Sequence, residues 1–111
     1  MVRIDTVVIH ATDARRAAEF WGGALGYTPR SEGSLTLVPV DGNGPAVNLD
    51  ETDQLHLDLR VSDAAEQRAE VERLIGLGAQ RVDWDYPDGA NFVVLADTEG
   101  NMFCVVNVGE G

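Results

Sequence analysis

The sequence contains no lysine, only one cysteine and few aromatic residues, and these shortages exclude several classes of protein. Arginine supplies all 8 basic side chains against 19 Asp and Glu, which gives a net charge of −11. Such an acidic surface repels phosphate backbones, so we expect no nucleic-acid partner. The single Cys104 cannot form an internal disulfide bond. No apolar run approaches the roughly 20 residues that span a bilayer, and acidic residues within 1–20 exclude a signal-peptide core. We therefore expect a cytoplasmic protein without a membrane partner.

The chain is long enough to form one domain with a hydrophobic core. The chain has 111 residues, of which 44% are hydrophobic and 24% are charged. This composition is typical of a globular protein, and the chain is too short for two domains of usual size. The sequence therefore predicts a single domain over residues 1–111.

An internal repeat organises that domain. Residues 6–13 (TVVIHATD) align with residues 56–63 (HLDLRVSD) at an offset of 50. In both segments the side chains alternate in type with the two-residue period of a strand, and each segment ends in an Asp that is suited to cap a following helix. Both helical patterns then stop at a Leu-Gly pair. Residues 37–50 align with residues 93–106 at an offset of 56, and each reads as strand, glycine turn, strand.

The order of these elements predicts two β-α-β-β-β modules and an α+β fold. Module one covers about residues 1–50, module two covers about residues 55–111, and residues 50–54 form a short polar link. The predicted strands are 3–10, 27–31, 34–40, 45–50, 55–61, 80–86, 91–96 and 102–108.

Two motifs in this order resemble the vicinal oxygen chelate superfamily. They are DARRAAEFWGGALGY at residues 13–27 and LADTEGNMFCVV at residues 95–106. The superfamily includes glyoxalase I, bleomycin-resistance proteins, extradiol dioxygenases and methylmalonyl-CoA epimerase, and the motifs are most similar to a glyoxalase-like subfamily found widely in bacteria. The resemblance covers essentially the whole chain. It implies a glyoxalase-like cup of mixed β-sheet, with the helices on the outside and a small-molecule ligand inside.

The resemblance also implies where a metal would bind. Metal-using members carry ligands on the first and last strand of each module, and the matching positions here are Thr6, Asn48, His56 and Cys104. Only His56 fits the usual His, Glu and Gln set. Neutral Thr and Asn are poor zinc ligands, and two remaining donors make a weak site. We therefore predict no metal and no cofactor, and a divalent metal at His56 is the alternative.

Strand periodicity extends the candidate site beyond those four positions. If His56 faces the cup, so do Asp58 and Arg60, and the repeat adds three residues of the first strand. The last strand of module two adds two apolar side chains to Cys104. These residues of the first and last strands are Thr6, Val8, His10, Met102 and Val106, of which Thr6 is also one of the four family positions. The opposite faces of these strands are apolar and should pack under the helices.

Several candidates also have purely structural interpretations. Asp58 and Arg60 can form an ion pair on one strand, and Cys104 can be an ordinary small buried residue. Trp84 and Tyr86 are predicted to alternate on one strand, where they could stack on a flat ligand or cover a sheet edge.

Three functions fit this candidate site. The first is a binding protein whose metal-poor cup sequesters a hydrophobic or aromatic metabolite or antibiotic. The second is a lyase or isomerase in which His10, His56 or Asp58 moves a proton while Arg60 steadies a carboxylate or enolate. The third is a vestigial cup. Exposed strand edges, together with the resemblance to dimeric relatives, also predict a homodimer.

Overall fold

The computed structural model describes residues 1–109, which form two modules of identical element order. The elements of module one are β1 (Arg3–His10), α1 (Ala14–Leu25), β2 (Tyr27–Pro29), β3 (Thr36–Pro39) and β4 (Ala46–Asp50). The elements of module two are β5 (His56–Val61), α2 (Ala64–Gly76), β6 (Gln80–Arg81), β7 (Phe92–Ala96) and β8 (Met102–Asn107). The predicted α+β class and the two β-α-β-β-β modules are confirmed. Within the described residues, neither helix has the length and apolar character needed to cross a membrane.

The boundary between two compact units falls inside β5. One unit is Ile4–His56, and the other joins Met1–Arg3 to the chain from Leu57 onward. His56 is covalently continuous with the strand that carries Asp58, so the local geometry of β5 holds both residues.

Module one is a four-stranded mixed sheet with one face covered by α1. Its strand order is β2-β3-β4-β1, with β1 parallel to β4 and the other pairs antiparallel. Helix α1 begins after Asp13, whose side chain accepts a hydrogen bond from the Arg16 backbone N–H. It ends at Gly26, which has the positive φ of 70° that favours glycine. The core under the helix consists of Ala14, Leu37, Val47 and Leu49, with Ile9 and Trp21 packed against it.

Module two repeats this plan with α2 on one face of its sheet. Its strand order is β5-β8-β7-β6, again with one parallel pair, β5 with β8. Asp63 accepts from the Glu66 backbone N–H, and the Glu66 side chain in turn accepts from the Ser62 backbone N–H, a reciprocal pair that resembles a capping box. The core under α2 consists of Val61, Val71, Leu95 and Val105.

Backbone register confirms the internal repeat. Val8 lies opposite Asn48 in the β1–β4 pair, and Asp58 lies opposite Cys104 in the β5–β8 pair. These pairs are related by the offsets of 50 and 56 found in the sequence. The repeat therefore preserves the pairing register, although the side chains at the paired positions differ.

The prediction of a strand over residues 80–86 is wrong. The strand β6 ends at Arg81, with one further backbone hydrogen bond from Val82 to the Val94 carbonyl. The Tyr86 hydroxyl accepts from the Val94 backbone N–H at 2.7 Å. That hydroxyl thus supplies the acceptor that a longer β6 backbone would have supplied, and Pro87 has no N–H with which to continue the ladder.

Candidate functional site

The helix-free face of module two carries most of the polar candidates. On β5, Val61 packs with Val71 of α2, so alternation directs His56, Asp58 and Arg60 to the opposite face. Two rows then cross the sheet from β5 through β8 to β7. They are Asp58–Cys104–Val94 and Arg60–Val106–Phe92. Each row thus places one charged residue beside two less polar neighbours.

Three of the candidates converge on this face. Potential ligand atoms of His56, Asp58 and Cys104 all lie within 4.8 Å of one another, and all three residues are half-buried. The sequence placed His56 and Asp58 on one face, and the β5–β8 register adds the Cys104 thiol. The result is a compact group of one imidazole, one carboxylate and one thiol.

The hydrogen bonding of His56 defines its ring state. Its Nδ1 lies 2.9 Å from the Gln54 carbonyl oxygen, which can only accept, so Nδ1 carries a proton. In the neutral ring the lone pair therefore lies on Nε2. The side chain is only 15% exposed.

The equivalent positions of module one have different chemistry. Thr6 is buried, and its hydroxyl donates to the Asp5 carboxylate at 2.9 Å. The Asn48 side-chain oxygen accepts from the Thr36 hydroxyl at 3.0 Å. Val8, only 4% exposed, takes the position that Asp58 has in module two. The positions in module one that match His56, Asp58 and Cys104 therefore carry only uncharged side chains, and the polar ones are already in hydrogen bonds.

These contacts test the metal that the superfamily implies. Of the four family positions, Thr6 and Asn48 offer only neutral oxygens that already have partners. Such donors suit hard cations only with carboxylates beside them, and they are poor zinc ligands. The four-position set does not fit a metal. The predicted absence of a metal at these positions stays a prediction.

His10 lies at the far end of β1, beside the link between the modules. Its Nδ1 is 3.0 Å from the Asp53 carbonyl oxygen, and the residue is exposed. The neighbouring Asp50 carboxylate accepts from the Thr52 backbone N–H, the Thr52 hydroxyl and the Asp53 N–H. These bonds, led by the Thr52 backbone N–H, lower the pKa of Asp50. The polar link is therefore a tight turn that Asp50 orders.

The two aromatic candidates do not share a strand face. Tyr86 packs against Phe92 at a ring-centroid distance of 5.5 Å, and its hydroxyl bonds to the β7 backbone. This arrangement matches the alternative in which Tyr86 covers a sheet edge and does not stack on a ligand. Trp84 is 43% exposed in the same irregular segment. Its role in binding a ligand stays a prediction, as do the roles of Met102 and Val106.

Sequence reasoning missed a groove in module one. The groove has a volume of about 450 Å³ and lies between α1 and the β2–β3 connection. Its lining residues are Arg15, Ala18, Glu19, Gly22, Gly23, Pro29, Gly33, Ser34, Leu35 and Leu37. Ala18 and Gly22 are four residues apart on one helix face, so the lack of bulky side chains there is the signal that could have revealed the groove.

Comparisons with known proteins agree with this architecture. Residues 6–106 match the family described as the glyoxalase-like domain. No curated protein has a significantly similar sequence.

Three solved structures illustrate the shared fold. The Streptomyces coelicolor methylmalonyl-CoA epimerase is similar with a TM-score of 0.60 at 18% identity, over 100% of this chain and 99% of that chain. A glyoxalase/bleomycin resistance protein/dioxygenase superfamily member from Vibrio splendidus has a TM-score of 0.57 at 11% identity, over 96% and 99% of the two chains. A Legionella pneumophila structure described as an NAD-dependent benzaldehyde dehydrogenase has a TM-score of 0.64 at 12% identity, over 92% and 96%. At such identities the likeness shows the fold alone.

The paired β-α-β-β-β modules, with their candidate side chains on the helix-free strand faces, have the fold of the vicinal oxygen chelate class. Within that class, the chain belongs to the glyoxalase-like domain family, whose match covers nearly its whole length.

Proposed function

We propose that this protein binds a small organic molecule on the helix-free faces of its strands, in the manner of a bleomycin-resistance-like binding protein. The observation that carries the proposal is the convergence of half-buried His56, Asp58 and Cys104 beside apolar Val94. A few convergent polar groups on an apolar surface are typical of small-molecule sites. The ligand would be a hydrophobic or aromatic metabolite or antibiotic.

The chemistry of the two faces favours particular ligand features. Apolar Met102 and Val106 suit a hydrophobic body, while His56 and Asp58 suit hydroxyl or carbonyl groups. Arg60 can receive one carboxylate, although the net charge of −11 disfavours polyanions. Binding of this kind requires no cofactor. The predicted homodimer and cytoplasmic location are separate proposals.

Ligand binding tests the proposal through two substitutions. We expect His56→Ala and Arg60→Ala each to weaken binding of a hit by ~1–3 kcal/mol, because each leaves a buried polar partner on the ligand unsatisfied. Isothermal titration calorimetry on hits from a panel of aromatic and hydrophobic metabolites would measure this. Ligand quenching of tryptophan fluorescence, retested in Trp84→Phe, would show whether Trp84 contacts the ligand.

Arg68→Ala is the matched control, since Arg68 is an exposed arginine on α2 and lies away from this face. The control should bind like the unmodified protein. Equal affinity in the unmodified protein and both site variants, or no binding from the whole panel, would argue for the vestigial interpretation instead.

A lyase or isomerase with His–Asp acid–base chemistry is the second candidate function. The observation favouring it is the His56 hydrogen bond to the Gln54 carbonyl, which fixes the ring orientation and places the lone pair of the neutral ring on Nε2. In deuterated water, we expect such an enzyme to exchange the proton next to the carbonyl of a bound ligand, and His56→Gln to abolish the exchange. Proton NMR of the ligand would measure it. Tight binding without exchange would leave the binding function and remove the enzymatic one.

A further inference from the structure

We propose that the groove beside α1 binds a hydrophobic amino acid as its zwitterion, with the ligand's carboxylate at Arg15 and its ammonium group at Glu19. All the residues that line this groove belong to one compact unit, Ile4–His56, and the groove lies on the side of the module-one sheet that α1 covers. It is therefore separate from the helix-free strand faces, and the proposal goes beyond the proposed function.

The groove has the size and the walls of a small-molecule site. Its volume of about 450 Å³ is within the range of roughly 300–1,000 Å³ that is typical of ligand pockets. Leu37 is 1% exposed and belongs to the core under α1, and Ala18 packs against that core. Leu35, from the connection between β2 and β3, is 38% exposed. These three lining side chains are apolar and suit the hydrophobic body of one small molecule.

Two opposite charges line the groove without pairing with each other. Arg15 and Glu19 are exposed and lie four residues apart on α1, a spacing that places both side chains on one face of the helix. Within residues 1–109, neither side chain forms an ion pair or a hydrogen bond. The arginine precedes the glutamate, which is the less favourable order for a helical ion pair of this spacing. Both charged groups are therefore available to a ligand.

This pair of charges defines the class of ligand. A simple carboxylic acid would be attracted by the Arg15 guanidinium but repelled by the Glu19 carboxylate, and a simple amine would meet the reverse. A molecule that carries both groups, as an amino acid does at neutral pH, can pair with both side chains. Because these side chains are exposed, each ion pair contributes little, and burial of the apolar body supplies much of the affinity.

Gly23 gives independent support for an occupant. Glycine is less favourable in a helix than every residue except proline. At Gly22 packing explains the glycine, since an added Cβ would lie 3.3 Å from the Tyr27 carbonyl oxygen. At Gly23 no atom lies within 4 Å of an added Cβ, and φ is not positive, so neither packing nor backbone conformation requires a glycine. Gly23 lines the groove, and the missing side chain leaves space there for a ligand.

Titration of the full-length protein with L-phenylalanine and L-leucine, followed by two-dimensional proton–nitrogen NMR, tests the proposal. We expect saturable shifts in the backbone amides of α1 and of residues 30–35, which connect β2 to β3. N-acetyl-L-phenylalanine lacks the ammonium group and L-phenylalaninamide lacks the carboxylate, so each should bind about two- to fivefold more weakly than L-phenylalanine. Equal affinity for all three phenylalanine compounds would overturn the proposal.

Two substitutions assign each charge of the ligand to its partner. Glu19→Gln should weaken L-phenylalanine binding about two- to fivefold without weakening N-acetyl-L-phenylalanine, because that analogue has no ammonium group. Arg15→Gln should weaken L-phenylalanine similarly without weakening L-phenylalaninamide. Arg68→Gln, at an exposed arginine of α2, is the matched control and should bind like the unmodified protein. A Glu19→Gln variant that weakens both phenylalanine and its N-acetyl analogue equally would contradict the assignment.

Gly23→Leu is designed to fill the groove. The new side chain has open space at its Cβ and leucine favours a helix, so the variant should fold but lose binding. Gly76→Leu is the matched control, because Gly76 is an exposed helical glycine of α2 with the same open space. Full binding in a folded Gly23→Leu variant, or no saturable shift in the unmodified protein, would refute the site. If circular dichroism shows that Gly23→Leu does not fold, the variants at the exposed Arg15 and Glu19 decide.

One variant separates this site from the proposed function. L-Phenylalanine is itself an aromatic metabolite, so it is also titrated into His56→Ala. Binding in the groove should be unchanged in that variant, whereas binding on the helix-free face should weaken. A loss in His56→Ala together with full binding in Gly23→Leu would assign the amino acid to the helix-free face and remove the groove site, and either proposal can thus fail alone.

Discussion

Replacing Leu95 by alanine is expected to lower the free energy of unfolding by about 2–5 kcal/mol. Leu95 is 0% exposed and packs with Val61, Val71 and Val105 in the core between α2 and its sheet. Removing three carbon atoms there loses their transfer free energy and leaves a cavity that the rigid strands on either side cannot fill.

Chemical denaturation followed by circular dichroism would measure the loss. Leu77→Ala is the matched control, because Leu77 is 69% exposed and its truncation should change stability by no more than about 0.5 kcal/mol. A loss for Leu95→Ala as small as that of the control would show that this cluster is not the stabilising core of module two.

Glu70→Gln is expected to destabilise the protein by about 1–3 kcal/mol at neutral pH, through loss of charged hydrogen bonds. Glu70 is a helix residue that is only 5% exposed. Its carboxylate accepts from Arg73 Nε at 2.6 Å and Nη2 at 3.3 Å, and the Met1 ammonium lies 3.1 Å away. The amide in the variant cannot form an ion pair with either cation, and the Met1 ammonium keeps only its longer contact with the Glu66 carboxylate at 3.5 Å.

The same substitution should change how stability depends on pH. The Arg73 hydrogen bond lowers the pKa of Glu70 from 4.5 to about 2, although burial opposes the shift. Because the folded-state pKa is depressed, the unfolded chain binds more protons in this window. The stabilisation is therefore complete above about pH 4.5 and is lost as the pH falls towards 2.

Urea denaturation at a series of pH values between 7 and 2 would test this expectation. The stability difference between the unmodified protein and Glu70→Gln should shrink as the pH falls through that window. Asp50 and Asp97 also have pKa values lowered by hydrogen bonds, so both proteins should retain some acid sensitivity. Glu72→Gln is the control, because its pair with Arg81 is exposed on both sides and should contribute little. A difference that stays constant down to pH 2 would contradict the role of the Glu70 charge.

Local signals in the sequence determined most of the fold. Alternation predicted β1 over residues 3–10, and the Asp13 and Asp63 caps placed both helix starts where the structure has them. The offsets of the repeat predicted two modules of the same element order. These features were predictable because strand periodicity, helix capping and glycine turns depend on residues near one another in the chain.

Long-range pairing determined the features that sequence reasoning missed. The extent of β6 was mispredicted, because the Tyr86 hydroxyl satisfies the Val94 N–H that a longer strand would have bound. Alternation could place His56 and Asp58 on one face, but their proximity to the thiol depends on the pairing of β5 with β8, over forty residues away along the chain. Local propensities contain no information about which distant residue lies opposite, since that register is chosen by the packing of both strands under α2. Sequence by itself therefore determined the modules and the candidate faces, and only the tertiary structure decided that Asp58 and Cys104 meet.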